Sequence, residues 1–235
     1  MMIKKIGALS LLYGLILTST PTLANSSSNA LYGRLDIGWS HMLEDDIRFV
    51  LNDGTNMSGQ ANYTDGKSYQ LGIGKRMNSL IREELAFIVT TGNNPKIQAQ
   101  TTVLSSKTDS MAVFANTYVD LQHYVKDYLI GYNPYLTAGF GLSRNHMDYL
   151  DNVSPDTGPA GRIQGNSDYK MAWQVGGGIS WQLNRKTDLD LGFKHYDFGS
   201  IHSSMNDTIQ AGDLRKPAVF NLRSVQIQLG VRYAF

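Results

Sequence analysis

The sequence predicts an all-β fold: an antiparallel eight-stranded transmembrane up-and-down β-barrel. Three observations predict it: apolar residues recur at every second position, the gaps between such segments alternate in length, and no helix-length apolar run follows residue 24. The longest wholly apolar run beyond that point is Leu85–Val89, far short of the ~20 residues that a spanning helix needs. In a bilayer, strands can satisfy their backbone groups only by closing into a barrel.

The first 24 residues differ from the rest of the chain. Lys4 and Lys5 precede the apolar stretch Ile6–Leu17, and small residues lead up to Ala24. This pattern is typical of a secretory signal peptide, so we expect residues 1–24 to be cleaved after Ala24 and residues 25–235 to form the barrel. The alternative, a single N-terminal anchor, is disfavoured because the stretch is too short to span a bilayer.

Composition excludes some classes of function. The formal net charge is +1, and removing Lys4 and Lys5 with the leader gives −1. No basic block is present to neutralise a run of phosphates, so nucleic acid is not an expected partner. The chain contains no cysteine, so closure of the sheet rather than disulfides must supply its stability.

The C-terminal strand shows the period of two most clearly. From Ser224 to Phe235 apolar and polar or small residues alternate without exception. Twelve such residues suit a tilted strand that crosses a bilayer in about 9 to 11. The apolar face comprises Val225, Ile227, Leu229, Val231, Tyr233 and Phe235.

Seven earlier segments repeat this alternation and complete the count of eight strands. Glu83 interrupts the apolar face of the third segment, near a turn, where we expect it to lie at the membrane interface. In chain order, the outward residues of the seven are Leu31, Leu35, Ile37 and Trp39; Tyr69, Leu71 and Ile73; Ile81, Leu85, Phe87 and Val89; Met111, Val113, Ala115, Val119 and Leu121; Leu136, Ala138, Phe140 and Leu142; Met171, Trp173, Val175, Ile179 and Trp181; and Leu189, Leu191 and Phe193.

The connections alternate in length, as in outer-membrane barrels with short periplasmic turns and long extracellular loops. Short turns are expected at about 77–79 and 183–187. The connection 122–133 fits neither class, and ten strands would result if it or a long loop contained another hairpin. The long extracellular loops are predicted at about 43–66, 92–108, 144–168 and 198–220.

The inward face carries nine charged residues, five basic and four acidic. Unpaired charges in a narrow lumen would be very costly, so we predict a salt-bridged polar plug. The alternative is a narrow ion path through the same residues, disfavoured because eight strands leave little room for water. The nine are Arg34, Asp36, Arg82, Glu84, Asp120, Lys170, Asp190, Lys194 and Arg232.

Several short motifs along the chain resemble those of the opacity-type outer-membrane proteins and of the transmembrane domains of OmpA/OmpX type. They are Arg82 and Glu84 in LIREELAF, Asn116, Tyr118 and Asp120 in ANTYVDL, the stretch NPYLTAGFGL from Asn133, KHYDFGS at 194–200, and the terminal RYAF that ends at Phe235. The resemblance covers most of residues 31–235 and implies a barrel in the outer membrane of a Gram-negative bacterium.

The resemblance does not select one function, because similar barrels serve as adhesins, anchors, pores and lipases. We expect a non-enzymatic surface protein with a structural or adhesin role, with a small pore as the alternative and a lipid A or peptide hydrolase as the weaker one. The implied partners are outer-membrane lipid and lipopolysaccharide, host protein ligands, and the barrel-assembly machinery, which would recognise the strand ending at Phe235.

No catalytic, cofactor or metal site is predicted. The histidines His41, His123, His146, His195 and His202 are not closely paired in sequence, and no cysteine completes a metal set. The glycines that might suggest a phosphate loop lie within strands, so no cofactor is expected.

Two weak hydrolytic patterns remain. His195 resembles the histidine of lipid A deacylases, but Asp197 stands where the serine would be, and His202 followed by Ser203 lies in a polar loop. Acidic residues 44–46 together with His146 and Asp148 suggest an omptin-like protease at the outer rim. We interpret them as solvated loop residues unless the fold brings them within hydrogen-bond reach.

Overall fold

The computed structural model describes residues 30–51, 56–99, 102–122, 132–154, 158–204, 207–209, 214–216 and 218–235. The expected leader, His123 and nearly all of the connection 122–133 lie outside the described residues. Among the described residues, no helix has the length and apolar character needed to cross a bilayer. The strands are β1 (Leu31–Met42), β2 (Asp45–Leu51), β3 (Asn56–Tyr63), β4 (Gly66–Arg76), β5 (Ile81–Thr91), β6 (Pro95–Ala99), β7 (Thr102–Ser105), β8 (Thr108–Asp120), β9 (Tyr132–Met147), β10 (Leu150–Ser154), β11 (Gly158–Ile163), β12 (Asn166–Gln182), β13 (Thr187–His202), β14 (Asp207–Ile209), β15 (Leu214–Lys216) and β16 (Val219–Ala234).

Eight long strands form a closed antiparallel barrel in the order β1-β16-β13-β12-β9-β8-β5-β4. The first and last strands close it, with Ile37 opposite Leu229 and Tyr32 opposite Ala234. The predicted fold class and the count of eight are therefore confirmed. Every barrel strand has at least 11 residues, enough to cross a bilayer at the usual tilt.

The side-chain faces follow the predicted alternation. Outward residues such as Ile37, Leu71 and Phe140 are exposed around the outside of the barrel, whereas their inward neighbours are buried. Glu83 lies outward beside the turn that joins β4 to β5, and its carboxylate accepts a hydrogen bond from Thr117 Oγ1 at 2.9 Å. The polar side chain is thus hydrogen-bonded at the edge of the apolar band.

Two short turns lie at one end of the barrel, close to the predicted positions. Residues 77–80 and 183–186 join neighbouring strands. In the first turn the Met77 amide donates to the Ile81 carbonyl at 2.9 Å, and Asn78 Oδ1 accepts from the Leu80 amide at 2.8 Å. The chain ends at the same side of the barrel, where the Phe235 amide donates to the Leu31 carbonyl at 3.0 Å.

The four long connections contain the eight shorter strands, which form a second sheet in the order β14-β11-β10-β7-β6-β3-β2-β15. This order repeats the circular order of the barrel strands to which they connect, so the sheet continues the barrel wall beyond the membrane. We call these eight strands the crown. The hairpins hidden in the long connections lengthen the wall and leave the barrel at eight strands.

A bulge near the outer end of β13 changes which side chains point inward. The β13–β16 register shifts between Asp197 and Ser200, and Gly199 has φ +77°. Asp197 Oδ1 accepts a hydrogen bond from the Gly199 amide at 2.8 Å. Because the bulge adds a residue to one strand, Phe198 and Ile201 are both fully buried inside.

Candidate functional site

The half of the lumen next to the short turns is built around Arg82. Strands β5 and β8 pair Arg82 with Tyr118, and Asp120, two residues further along β8, lies diagonally beside it. Arg82 Nη2 lies 2.7 Å from Asp120 Oδ1. Arg76 Nη1 reaches the other oxygen of the same carboxylate at 2.9 Å. The Arg82 guanidinium also lies over the rings of Tyr118 and Tyr135, 4.8 and 5.4 Å from their centroids. Charge pairing and cation–π contact together stabilise this buried cation.

A second charged group crosses the lumen from β1 to β13 and β16. Arg34 Nε donates to Asp36 Oδ2 at 2.9 Å, and Arg232 Nη2 donates to Asp188 Oδ2 at 2.7 Å. Asp190 lies between the two guanidinium groups, 3.8 Å from Arg34 and 3.7 Å from Arg232. Three acids thus share two arginines, which keeps the lumen nearly neutral locally.

A layer of amides and hydroxyls follows toward the outer end. Glu84 accepts from the Tyr118 hydroxyl at 2.9 Å, while Gln70 Oε1 accepts from the Tyr196 hydroxyl at 3.2 Å. Lys194 Nζ lies 3.5 Å from Gln70 Oε1 and 5.8 Å from the centroid of the Tyr118 ring. These contacts join β4, β5, β8 and β13 across the lumen.

Eight of the nine predicted inward charges are buried in the lumen, and six of these eight form the predicted ion pairs. Glu84 and Lys194 instead contact the neutral groups of Tyr118 and Gln70. The exposed fractions of the eight lie between 0%, as for Arg82, and 4%, as for Glu84. The ninth, Lys170, is only half-buried, because it lies at the outer end of β12, where Gly199 of the bulge crosses beside it.

An apolar layer closes the outer half of the lumen. The Tyr196 and Phe198 rings stack with centroids 5.4 Å apart, and Phe114 packs edge-on against both. This layer was not predicted from the sequence, although Phe114 lies at an inward position of the alternating strand β8. Apolar residues buried in the same cluster include Met42, Ile88, Met147, Phe220 and Leu222 of the barrel and Ile47, Ala61 and Ile97 of the crown.

Side chains bind the crown to the barrel where the strands change sheet. Asn93 Nδ2 donates to the carbonyls of Ser40 and Thr64 at 3.0 and 3.2 Å. The Thr64 hydroxyl donates to the Gly92 carbonyl at 2.7 Å and accepts from the Asn94 amide at 2.9 Å. Gly92 has φ +85°, a conformation that favours glycine. These bonds fasten the connection between β3 and β4 to the neighbouring connection between β5 and β6.

Similar hydrogen bonds occur at other places where a barrel strand continues into a crown strand. Asp45 Oδ2 accepts from the Asn221 amide at 2.9 Å, and Ser203 Oγ accepts from the Ala218 amide at 2.9 Å. Burial, with the nearby charge of Asp45, raises the pKa of the Tyr63 phenol, which stays neutral. The base of the crown is therefore laterally bonded at several positions around the barrel.

The predicted hydrolytic pattern around His195 does not assemble. His195 faces outward, with its ring 5.2 Å from that of Trp173 and with Val175 and Val225 as cross-strand neighbours. Asp197, two residues further on, accepts from the amide of the bulge glycine. Apolar and aromatic groups therefore surround this histidine where a deacylase-like site would need a hydroxyl.

His202 and Ser203 do not form a catalytic pair either, because each is bonded to a different partner. His202 Nδ1 lies 2.7 Å from Asp168 Oδ2, and its amide donates to the same oxygen at 2.8 Å. The Ser203 hydroxyl is the acceptor of the bond from the Ala218 amide. Among the residues that the structure describes, no group of three or more His, Asp or Glu is arranged to hold a metal ion.

The omptin-like set separates into two places. Acidic residues 44–46 lie where β1 meets β2, while His146 lies at the outer end of β9, four strands away around the barrel. His146 Nε2 does lie within 3.2 Å of Asp148 Oδ1, and its Nδ1 lies 2.8 Å from Ser167 Oγ. Ser167 was missed because only the register of β9 and β12 brings it opposite His146.

Comparisons with known proteins agree with this architecture. The family described as outer membrane protein beta-barrel domain matches residues 10–235. No curated protein matches this sequence. OprG from Pseudomonas aeruginosa is similar in structure, with 10% identity, 88% of this chain and 96% of that chain covered, and a TM-score of 0.56.

Two other solved structures resemble the chain. The outer membrane protease OmpT from Escherichia coli has 11% identity, 92% and 100% coverage and a TM-score of 0.51. Neisserial surface protein A has 18% identity, 87% and 97% coverage and a TM-score of 0.49. Likeness at these identities concerns the fold alone. The closed eight-stranded barrel and the match over residues 10–235 place the chain in the outer membrane of Gram-negative bacteria, and it belongs to the outer membrane protein beta-barrel domain family.

Proposed function

We propose that this protein acts at the cell surface as a display barrel, whose crown binds ligands outside the cell such as host proteins or neighbouring cells. One observation carries the proposal: the lumen is filled from its charged layer to its apolar layer, while the wall continues outward as a hydrogen-bonded crown. The surface available for recognition therefore lies outside the membrane.

The filled lumen argues against a small pore. Arg34, Arg82 and Lys194 have almost no accessible surface, which leaves little room for water beside them. The stacked rings of Tyr196 and Phe198 block the same path further out. Conduction would require these groups to move aside and be replaced by water, and an eight-stranded barrel has little room for that.

The crown is suited to recognition because its described residues are fixed to the barrel by hydrogen bonds and by burial. Its base is bonded through Asn93, Thr64 and Asp45, and its inner residues Ile47 and Ile97 are fully buried. Binding by a preorganised surface avoids much of the entropic cost of ordering loops.

The remaining partners follow from the location. Outward aliphatic and aromatic residues suit contact with outer-membrane lipid and lipopolysaccharide, and Phe235, 62% exposed, suits recognition by the barrel-assembly machinery. Export would use residues 1–24 as a cleaved signal peptide.

The experiment compares a crown variant with a matched control on the surface of a heterologous Gram-negative host. In the variant, residues 45–63 and 95–105 are replaced by short Gly-Asn turns; in the control, only the periplasmic turn 183–186 is replaced. Heat-modifiable gel mobility checks that both fold. We expect the crown variant to lose adherence to host cells and the control to keep it; equal adherence would contradict the proposal.

Planar-bilayer recording of the refolded wild-type protein tests the pore alternative. We expect no steady single-channel conductance. Steady conductance that Phe198→Ala increases would instead support a channel through the apolar layer.

A further inference from the structure

We propose that the outward face of β9 and β12 carries an ester-hydrolysing site, with Ser167 as nucleophile, His146 as general base and Asp148 as the group that positions the base. This activity goes beyond the proposed display function and does not depend on it. It also departs from the sequence-based expectation of a non-enzymatic protein.

The three side chains have the connectivity that such chemistry requires. Ser167 and His146 are cross-strand partners, and Ser167 Oγ lies 2.8 Å from His146 Nδ1. On the other side of the ring, Nε2 lies 3.2 Å from Asp148 Oδ1. A carboxylate next to Nε2 holds the proton there, which leaves the Nδ1 lone pair to accept the serine proton.

The site is accessible from the membrane side of the wall. The side chains of His146 and Asp148 are 48% and 54% exposed, and Ser167 is half-buried. A substrate can therefore approach the serine without any rearrangement of the barrel.

Its position selects the substrate. Below the Ser167–His146 pair on the same outward face come Tyr169 opposite Arg144, then Met171 opposite Leu142. His146 lies four residues beyond Leu142, about 14 Å along the strand or about 10 Å along the membrane normal at the usual tilt. An amphiphile whose acyl chain lies against the apolar band would present its ester near this level, so the substrate class is acyl esters of the outer leaflet.

Side chains must supply the oxyanion donors, because backbone amides within a barrel wall are already paired in the sheet. Arg144 and Tyr169 are the adjacent outward pair, and both are exposed. A guanidinium or a phenol can each donate to a carbonyl oxygen that becomes negative in the transition state.

The reaction balances with water as the only co-reactant. Ser167 Oγ attacks the ester carbonyl and gives its proton to His146 Nδ1, which passes it to the departing alcohol, leaving an acyl-serine. Water then attacks the acyl group, His146 takes its proton and returns it to Ser167 Oγ, and the carboxylic acid leaves.

The test uses full-length protein refolded in detergent, with heat-modifiable mobility to confirm folding. A fluorophosphonate probe is expected to label Ser167, and p-nitrophenyl decanoate to be hydrolysed. Ser167→Ala and His146→Asn should abolish labelling and reduce turnover by about 10³-fold or more. His41→Asn is the matched control, because His41 forms a His–Asp pair with Asp65 at 2.7 Å elsewhere on the rim; it should change neither readout.

Two further measurements separate the roles. Asp148→Asn should lower kcat with KM unchanged, and Asp148→Glu should restore part of the loss. Decanoate should be hydrolysed faster than acetate, and equal rates would overturn the assignment to lipid esters. If folded wild-type protein is not labelled at Ser167 and hydrolyses ester no faster than Ser167→Ala, the site is not catalytic, whatever the result of the adherence experiment.

Discussion

Replacing Asp120 by leucine should destabilise the barrel strongly. Arg82 is fully buried, and its Nε and Nη2 donate to the Asp120 carboxylate at distances between 2.7 and 3.1 Å. Asp120→Leu would leave this guanidinium inside the lumen without its carboxylate. Removing one partner of a buried ion pair typically costs about 3–5 kcal/mol, and we expect a loss in that range.

Removing the cation should cost less, because the pair is asymmetric. In Arg82→Met, Asp120 keeps its bond to Arg76 Nη1 at 2.9 Å, so the carboxylate stays paired. We expect a loss of about 1–3 kcal/mol, in the range for a lost hydrogen bond to a buried charged group. In the double variant no unpaired charge is buried, since Arg76, with 32% of its side chain exposed, can reach water. Its stability should recover to near that of Arg82→Met alone.

The free energy of unfolding can be measured by urea titration in lipid vesicles, followed by fluorescence of Trp39, Trp173 and Trp181 and extrapolated linearly to zero urea. Arg76→Gln is the control for a partly exposed pair and should cost below about 1 kcal/mol. An equal loss of stability in Arg82→Met and Asp120→Leu, or a double variant that loses the sum of the two, would contradict this expectation.

Three further predictions concern the apolar layer, the bulge of β13 and the base of the crown. Phe198→Ala should lower the free energy of unfolding by about 3–5 kcal/mol, because it leaves a cavity in the stacked layer. Phe140→Ala on the outer surface should lower it by only about 1.5–3 kcal/mol, the transfer energy of the side chain. Urea titration compares the two variants. Gly199→Val should cost about 1–3 kcal/mol in the same assay, since φ is +77° and the new side chain would meet Lys170; wild-type stability would refute the strain. Asn93→Ala should lose two bonds to backbone carbonyls and speed trypsin cleavage within the crown, while heat-modifiability of the barrel stays unchanged.

The barrel was predictable because its signal is local and repeats. Alternation in each strand fixes which side chains face lipid, and the ladder in which Ile37 opposes Leu229 keeps that parity across the closing pair. A one-residue slip would turn an apolar face inward, so pattern and register constrain each other. The same alternation predicted charge pairing in the lumen, because the numbers of acidic and basic residues on the inward face are nearly equal.

The crown was not predictable in the same way. Its strands are short, with as few as three residues in β14 and β15, so period two has too few repeats to be read. They gain their partners only because the barrel below places the hairpins side by side. The bulge at Gly199 similarly reverses parity through one backbone conformation that composition does not reveal.

The candidate catalytic group was also invisible in sequence, for a related reason. Ser167 and His146 are 21 residues apart, and only the register of two barrel strands makes them opposite. Asp148, two residues after His146, was the visible part of the set. Residues spaced along one strand can be recognised from the sequence, whereas a group assembled across two strands becomes visible only when their register is known.

The charged layer and the apolar layer of the lumen stabilise the closed barrel in different ways. Paired charges such as Arg82 with Asp120 favour one arrangement of strands, because any other would leave a charge unpaired. The apolar layer around Phe198 adds burial, and since the same cluster includes Ile47 and Ile97, it continues into the crown. A lumen packed in this way leaves little room for solutes. This supports the two proposals, which assign recognition to the crown and ester hydrolysis to the outward rim, where polar side chains such as those of His146 and Asp148 are accessible.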